Sequence, residues 1–169
     1  MESDLINKAY TFAESVFRDR SFENRPFHNL AHTKDVVSAV EEIGTHTELT
    51  DDEMESALIA AWLHDIGYLE GDGDHELKAA EKARELLQSW GASQKKIHDV
   101  SDAILATKVP QQPRSLIGRV LCDADLYHLS AESCLDKAVK LRAEWETHGT
   151  QPMSDTEWLQ KNPEFLEGH

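Results

Sequence analysis

The sequence predicts an all-α fold, and three observations carry that expectation. Apolar residues recur at three- and four-residue spacings through most of the chain, no stretch alternates with the period of two that marks a strand, and no internal repeat is present. At 169 residues and 40% hydrophobic content the chain is long enough to bury one core, so a single helical domain over 1–166 is expected.

The first helix is expected from Ser3 to about Arg18, followed by a polar link, Arg20 to Pro26. A second begins near His28 and carries His32, Val36, Val40 and Ile43 along one face, which points His32 toward the core. Thr50 and Glu53 form a capping-box pattern that opens a third helix, running to about Ile66 and closed by Gly67. Its run ALIAAWLHDIG is apolar on nearly every side, as in a helix through the centre of a domain, with His64 and Asp65 at its end. The turn GDGD leads into a helix from His75 to Trp90, with Leu77, Ala80, Ala83, Leu87 and Trp90 near one stripe and Gly91 beyond.

The next helix aligns Ile97, Val100, Ile104 and Thr107 before Pro110 and Pro113 break the chain. Another carries Ile117, Leu121 and Asp125 at successive four-residue steps, so Asp125 projects from the apolar side. A helix from about Ala131 to Thr147 is expected to turn Leu135, Ala138, Val139, Arg142 and Trp145 inward, and Ser154 with Glu157 to cap a short helix around Trp158. The closing Glu167, Gly168 and His169 have the composition of a purification-tag remnant.

Composition narrows the function. A net charge of -15 argues against a broad nucleic-acid surface, which relies on concentrated Lys and Arg. No run reaches the ~18 apolar residues of a membrane span and the N-terminus lacks a secretory pattern, so a soluble, cytoplasmic protein is expected. Cys122 and Cys134 fit no metal or redox spacing and are read as reduced thiols.

His32, His64, Asp65 and Asp125 each fall where a helix's apolar face would bury them. A buried ionised carboxylate costs several kcal/mol unless a cation or donors compensate it, and one divalent metal would compensate both aspartates. Imidazole nitrogen with carboxylate oxygen suits Mn, Fe, Co, Ni, Zn or Mg. Asp123 competes with Asp125 but points largely to another face, which favours Asp125.

The segments FHNLAHTKDVV (27–37), AAWLHDIGY (60–68), HELKAAEKARELL (75–87) and LCDADLYHLS (121–130) together resemble the HD-domain superfamily of metal-dependent phosphohydrolases, over about residues 25 to 166. The resemblance implies a helical HD-domain bundle with His32, His64, Asp65 and Asp125 as metal ligands. It also implies hydrolysis of a phosphoester of a nucleotide or other small phosphorylated metabolite by metal-activated water, oriented by Asp65. His28, similarly placed to the histidine that protonates the leaving oxygen in cyclic-nucleotide phosphodiesterases of this superfamily, is the expected general acid.

His75 falls where two-metal members carry a further histidine, as a second-metal or substrate residue. The next expected histidine is replaced by the run Ala106-Thr107-Lys108, so one metal per site is expected. Lys108 and Arg142 are the candidate phosphate contacts. Two other classes fit parts of the pattern: a di-iron oxygenase on the same fold, which needs more histidines, and a metal-stabilised binding or regulatory module without turnover. No base-reading motif identifies the substrate, and nothing in the sequence sets the oligomeric state.

Overall fold

The structure is a computed structural model that describes residues 3–71, 73–127 and 134–148, with positions 154, 156 and 158. Among these residues seven α-helices occur and no strand. They are α1 (Asp4–Val16), α2 (Leu30–His46), α3 (Asp51–Leu63), α4 (His75–Ser89), α5 (Gln94–Ala106), α6 (Leu116–Leu126) and α7 (Cys134–His148). Short 3₁₀ turns lie at Arg20–Phe22 and Ile66–Glu70.

Side-chain caps fix most helix starts by satisfying amides that have no partner within the helix. Ser3 accepts from Leu5 N, Asn29 from Ala31 N and His32 N, Ser93 from Lys96 N, and Ser115 from Gly118 N. The capping box expected at Thr50 and Glu53 is present in both directions. The cap at Asn29 means that His28 precedes α2, where the sequence placed it inside the helix.

α3 is the central rod. Every residue from Ser56 to Leu63 is buried, and the helix packs on α1, α2, α5 and α6. Ile59 and Leu63 have no exposed surface, each side chain contributing about 1.5–3 kcal/mol by leaving water. A helix buried all round cannot signal one inner face, so its ends carry the information: Asp51, Asp52 and Glu53 at the solvated start, His64 and Asp65 at the other. Because α2 and α6 also contact each other, the start of α2, the end of α3 and the end of α6 meet.

Helix α3 ends at Leu63, one turn before the expected Ile66, and Gly67 serves a different purpose from a helix stop. A Cβ on Gly67 would lie 1.9 Å from His75 O and 2.8 Å from Ala79 N, so only hydrogen fits where the 3₁₀ turn crosses the start of α4. Backbone cannot swing aside as a side chain can. Gly67→Ala is therefore expected to cost about 3 kcal/mol or more, read as a lower Tm and denaturant midpoint, and to displace the neighbouring Asp65.

No helix among the described residues is long and apolar enough to cross a membrane. Cys122 and Cys134 are unpaired, as expected. The expected final helix falls partly, and the 167–169 tail wholly, outside the described residues.

Candidate metal centre and acid–base network

His32 lies in the first turn of α2, His64 caps the end of α3, Asp65 opens the following 3₁₀ turn, and Asp125 stands one residue before the end of α6. Their polar atoms converge. His32 Nε2 is 3.1 Å from Asp125 Oδ1 and 3.6 Å from Asp65 Oδ2, while His64 Nε2 is 3.1 Å from Asp65 Oδ2 and 3.7 Å from Asp125 Oδ1. The ligand atoms of His32, His64 and Asp125 lie within 4.8 Å of one another, close enough to share one ion.

Two of the converging atoms, His64 Nε2 and Asp65 Oδ2, are buried and make no hydrogen bond. Leaving such atoms unsatisfied is costly, and a divalent cation between them would satisfy both. His64 Nδ1 is 2.8 Å from the Ala61 carbonyl, which fixes the tautomer that leaves the Nε2 lone pair free to accept a cation. The electrostatics agree: burial opposes charge on His64, but Asp65 and Asp125 more than reverse this and hold its imidazole well above the ordinary range. Burial likewise opposes the Asp125 carboxylate, yet its contacts with His32 and His64 hold it well below the usual range. Two imidazoles and two carboxylates thus enclose a place that favours positive charge.

Beside this cluster a second network forms around His28. Its Nδ1 is 2.7 Å from Glu144 Oε1, and the backbone N–H groups of Phe27 and His28 donate to Glu144 Oε2 at 2.9 and 3.0 Å. Arg25 donates to Oε1 at 3.1 Å and lays its guanidinium 4.2 Å from the Tyr68 ring centroid. Tyr68 Oη approaches His28 Nε2 at 3.4 Å, and its ring stacks on His75 with centroids 3.9 Å apart. Burial and the neighbouring carboxylates push the Tyr68 phenol far up, so it stays neutral. Burial pulls the His28 imidazole down, but Asp65, Glu144 and Asp125 more than offset this and leave it raised.

Glu144, Arg25 and Tyr68 are the network residues that sequence reasoning missed, Glu144 foremost. The apolar stripe expected on α7 is its inner face only in part: Ala138 and Trp145 line a cavity, but Leu135 and Val139 are 79% and 67% exposed, whereas Glu144 is 2% exposed. Amphipathicity places carboxylates outward, and a polar helix such as α7 gives no signal of one turned in. A weak clue is the row Lys137, Glu144 and His148, each of which reaches another element: Asp35 at 2.7 Å, Arg25 and His28, and the Asn24 carbonyl at 2.9 Å.

Burial raises a carboxyl group, but His28 and the backbone donors bring Glu144 down from 4.5 to about 2. A carboxylate with a depressed folded-state pKa contributes stability above its unfolded value and loses it as pH falls toward the folded one. The contribution, roughly 3 kcal/mol, should therefore disappear between about pH 4.5 and 2. Over that interval the Tm of the wild type should fall more steeply than that of Glu144→Gln, by circular dichroism melts.

The remaining expected site residues are less central. Asp123 is exposed while Asp125 turns inward, as their two-residue separation requires. Lys108 is exposed and pairs with Asp74 at 2.6 Å, and Arg142 pairs with Glu146 at 3.0 Å. His75 joins Tyr68 and lies 3.5 Å from Glu76, outside the converging ligand atoms.

A cavity of about 270 Å³ opens onto both clusters, reached by His28, Asp65, Tyr68, His75 and Asp125.

Comparison with known proteins agrees with this arrangement. The HD domain model matches residues 29–130, a stretch that contains His32, His64, Asp65 and Asp125 and excludes His28 and Glu144. A crystal structure of a predicted HD superfamily hydrolase from an uncultured Thermotogales bacterium has a similar fold, with a TM-score of 0.68. It is 25% identical, over 95% of this chain and 87% of that one. No curated protein matches the chain significantly.

Proposed function

The chain belongs to the HD-domain family, and from that premise we propose that it is a metal-dependent phosphohydrolase acting on a small phosphorylated metabolite. The observation that carries the reading is the pair of orphaned buried atoms, His64 Nε2 and Asp65 Oδ2, facing His32 and Asp125. His32, His64, Asp65 and Asp125 hold one divalent ion, of a kind their mixed nitrogen and oxygen donors accept. Such an ion, when bound, neutralises phosphate oxygens and acidifies nearby water.

The chain's own groups complete the chemistry. Asp65, with a second carboxylate oxygen available, accepts a hydrogen bond from the attacking water and orients it. His28 protonates the departing oxygen. Its Nδ1–H donates to Glu144, which fixes the ring and keeps it charged, while Nε2 is directed to Tyr68 and the cavity. Tyr68 stays neutral and its phenol oxygen accepts from the His28 Nε2–H, which holds the ring in place, while Arg25 pairs with Glu144 from behind.

The test is a phosphate-release screen across nucleotides and simple phosphoesters with Mn, Fe, Co, Ni, Zn or Mg supplied singly. Release that EDTA abolishes and added metal restores is expected. No release with any pairing, or oxygen consumption by the iron-loaded protein, would overturn the reading.

A further inference from the structure

The end of the molecule that holds α7 carries apolar side chains that the core does not use. Phe27, Leu126, Ala138, Leu141, Trp145 and Trp158 all line the cavity beside the metal centre, and none of them belongs to the apolar core around α3. On α7 the lining positions are 138, 141 and 145, spaced by three and four, so one face of an otherwise polar helix is turned to the cavity. Trp145 and Trp158 meet edge to face with centroids 5.5 Å apart. The Phe27 ring centroid is 4.8 Å from that of His28 and 4.7 Å from that of His32, so the apolar lining begins at the histidines themselves.

Side chains of this kind gain by leaving water, yet here they enclose about 270 Å³ of space, and Trp145 stays 38% exposed. A ligand's carbon skeleton would cover what the protein leaves bare. The volume is near the small end of ligand pockets, which run roughly 300–1,000 Å³, and suits a phosphate with about one ring attached. The chemistry decides which half of the substrate lies there: His28 lines this cavity and gives its proton to the departing oxygen, so the group carried by that oxygen occupies the cavity.

Resting on the phosphohydrolase reading, we propose that the departing alcohol is apolar, an alkyl or aryl alcohol of about one ring in size, and that Leu141 and Trp145 select it. Water adds to phosphorus, the phosphorus–oxygen bond breaks, and the alcohol leaves with the His28 proton. A polyol of equal size, as in a sugar phosphate, would exchange water for carbon walls around its hydroxyls. Hydroxyls buried without partners bind poorly, so the same walls that favour the apolar group reject the polyol.

Alkylphosphonates test this without turnover, because their carbon–phosphorus bond resists hydrolysis. The Mn-supplemented protein is titrated by calorimetry with methyl-, propyl- and hexylphosphonate, and affinity should rise about 3-fold per methylene. A second pair matches in shape and differs in polarity: 3-methylpentylphosphonate should bind at least about 10-fold tighter than 3,4-dihydroxybutylphosphonate. Leu141→Asn should weaken hexylphosphonate about 10-fold and methylphosphonate far less. Ala138→Phe, which fills the same space, should weaken the hexyl compound while sparing the methyl one. Val139→Asn is the control, since Val139 is 67% exposed on the same helix and lines no part of the cavity; it should change neither affinity.

A flat series from methyl to hexyl, equal or tighter binding of the dihydroxy compound, no binding by any of them, or the same loss in Val139→Asn as in Leu141→Asn would overturn the assignment. Phosphate release from hexyl phosphate and glycerol phosphate keeps the two readings apart. Chain-length-dependent binding without release from either ester would sink the hydrolase reading and spare the apolar cavity, whereas release that favours glycerol phosphate would do the reverse.

Discussion

Asp65→Ala is expected to abolish metal binding and phosphate release together while leaving the helical fold intact. The carboxylate faces both imidazoles, 3.1 Å from His64 Nε2 and 3.6 Å from His32 Nε2, and its Oδ2 has no other use. Removing it takes away one of four donors and half of the negative charge that a cation would neutralise. A residue that only supports a ligand costs about 10- to 100-fold in metal affinity, so loss of a ligand should exceed that range.

His64→Ala and Asp125→Ala should behave alike, by metal analysis after dialysis and by calorimetric titration. Asp123→Ala supplies the control. Its carboxylate is exposed two residues from Asp125, and the variant should keep metal affinity within about twofold, as a solvated surface group does. Loss of metal from Asp123→Ala with Asp125→Ala unaffected would exchange the two roles. Retention of metal in Asp65→Ala would remove Asp65 from the ligand set.

The convergence of His32 and Asp125 was legible in the sequence because these residues interrupt apolar faces. Asp125 follows Ile117 and Leu121 on α6, and His32 precedes Val36 and Val40 on α2; in both cases the periodicity that buries the neighbours aims the polar group inward. Cap chemistry located the start of α3 as well, since Thr50 with Glu53 is a local signal that no tertiary contact has to confirm.

What was not legible depends on contacts distant in sequence. The inner face of α7 is selected by Arg25, Phe27 and His28, more than a hundred residues earlier, which together offer Glu144 enough donors to make its burial favourable. An apolar stripe at 135, 138, 139 and 145 carries no trace of that demand. Nor does the identity of Gly67 reveal that α4 crosses above it, because a helix stop and a close backbone approach both call for glycine. Lys108 and Arg142, the expected phosphate contacts, pair with Asp74 across a loop and with Glu146 one turn on.

His28→Ala should keep metal occupancy and fold but lower kcat by roughly 10²- to 10⁴-fold, the usual worth of a positioned general acid. Its Nδ1 is committed to Glu144 and its Nε2 is directed to Tyr68. Acid catalysis predicts more than a lower rate. A nitrophenolate leaving group needs little protonation, so the variant should lose far less activity on nitrophenyl phosphate than on an alkyl phosphate. Glu144→Gln probes the same proton from behind, since it keeps the hydrogen-bonding shape but withdraws the charge that keeps His28 protonated. The alkaline limb of its pH–kcat profile should move to lower pH, because a His28 without its carboxylate gives up its proton sooner. An equal loss on both leaving groups would refute the acid role, and lost metal in His28→Ala would make that residue a ligand. An unmoved alkaline limb in Glu144→Gln would leave Glu144 a structural tie for α7 alone.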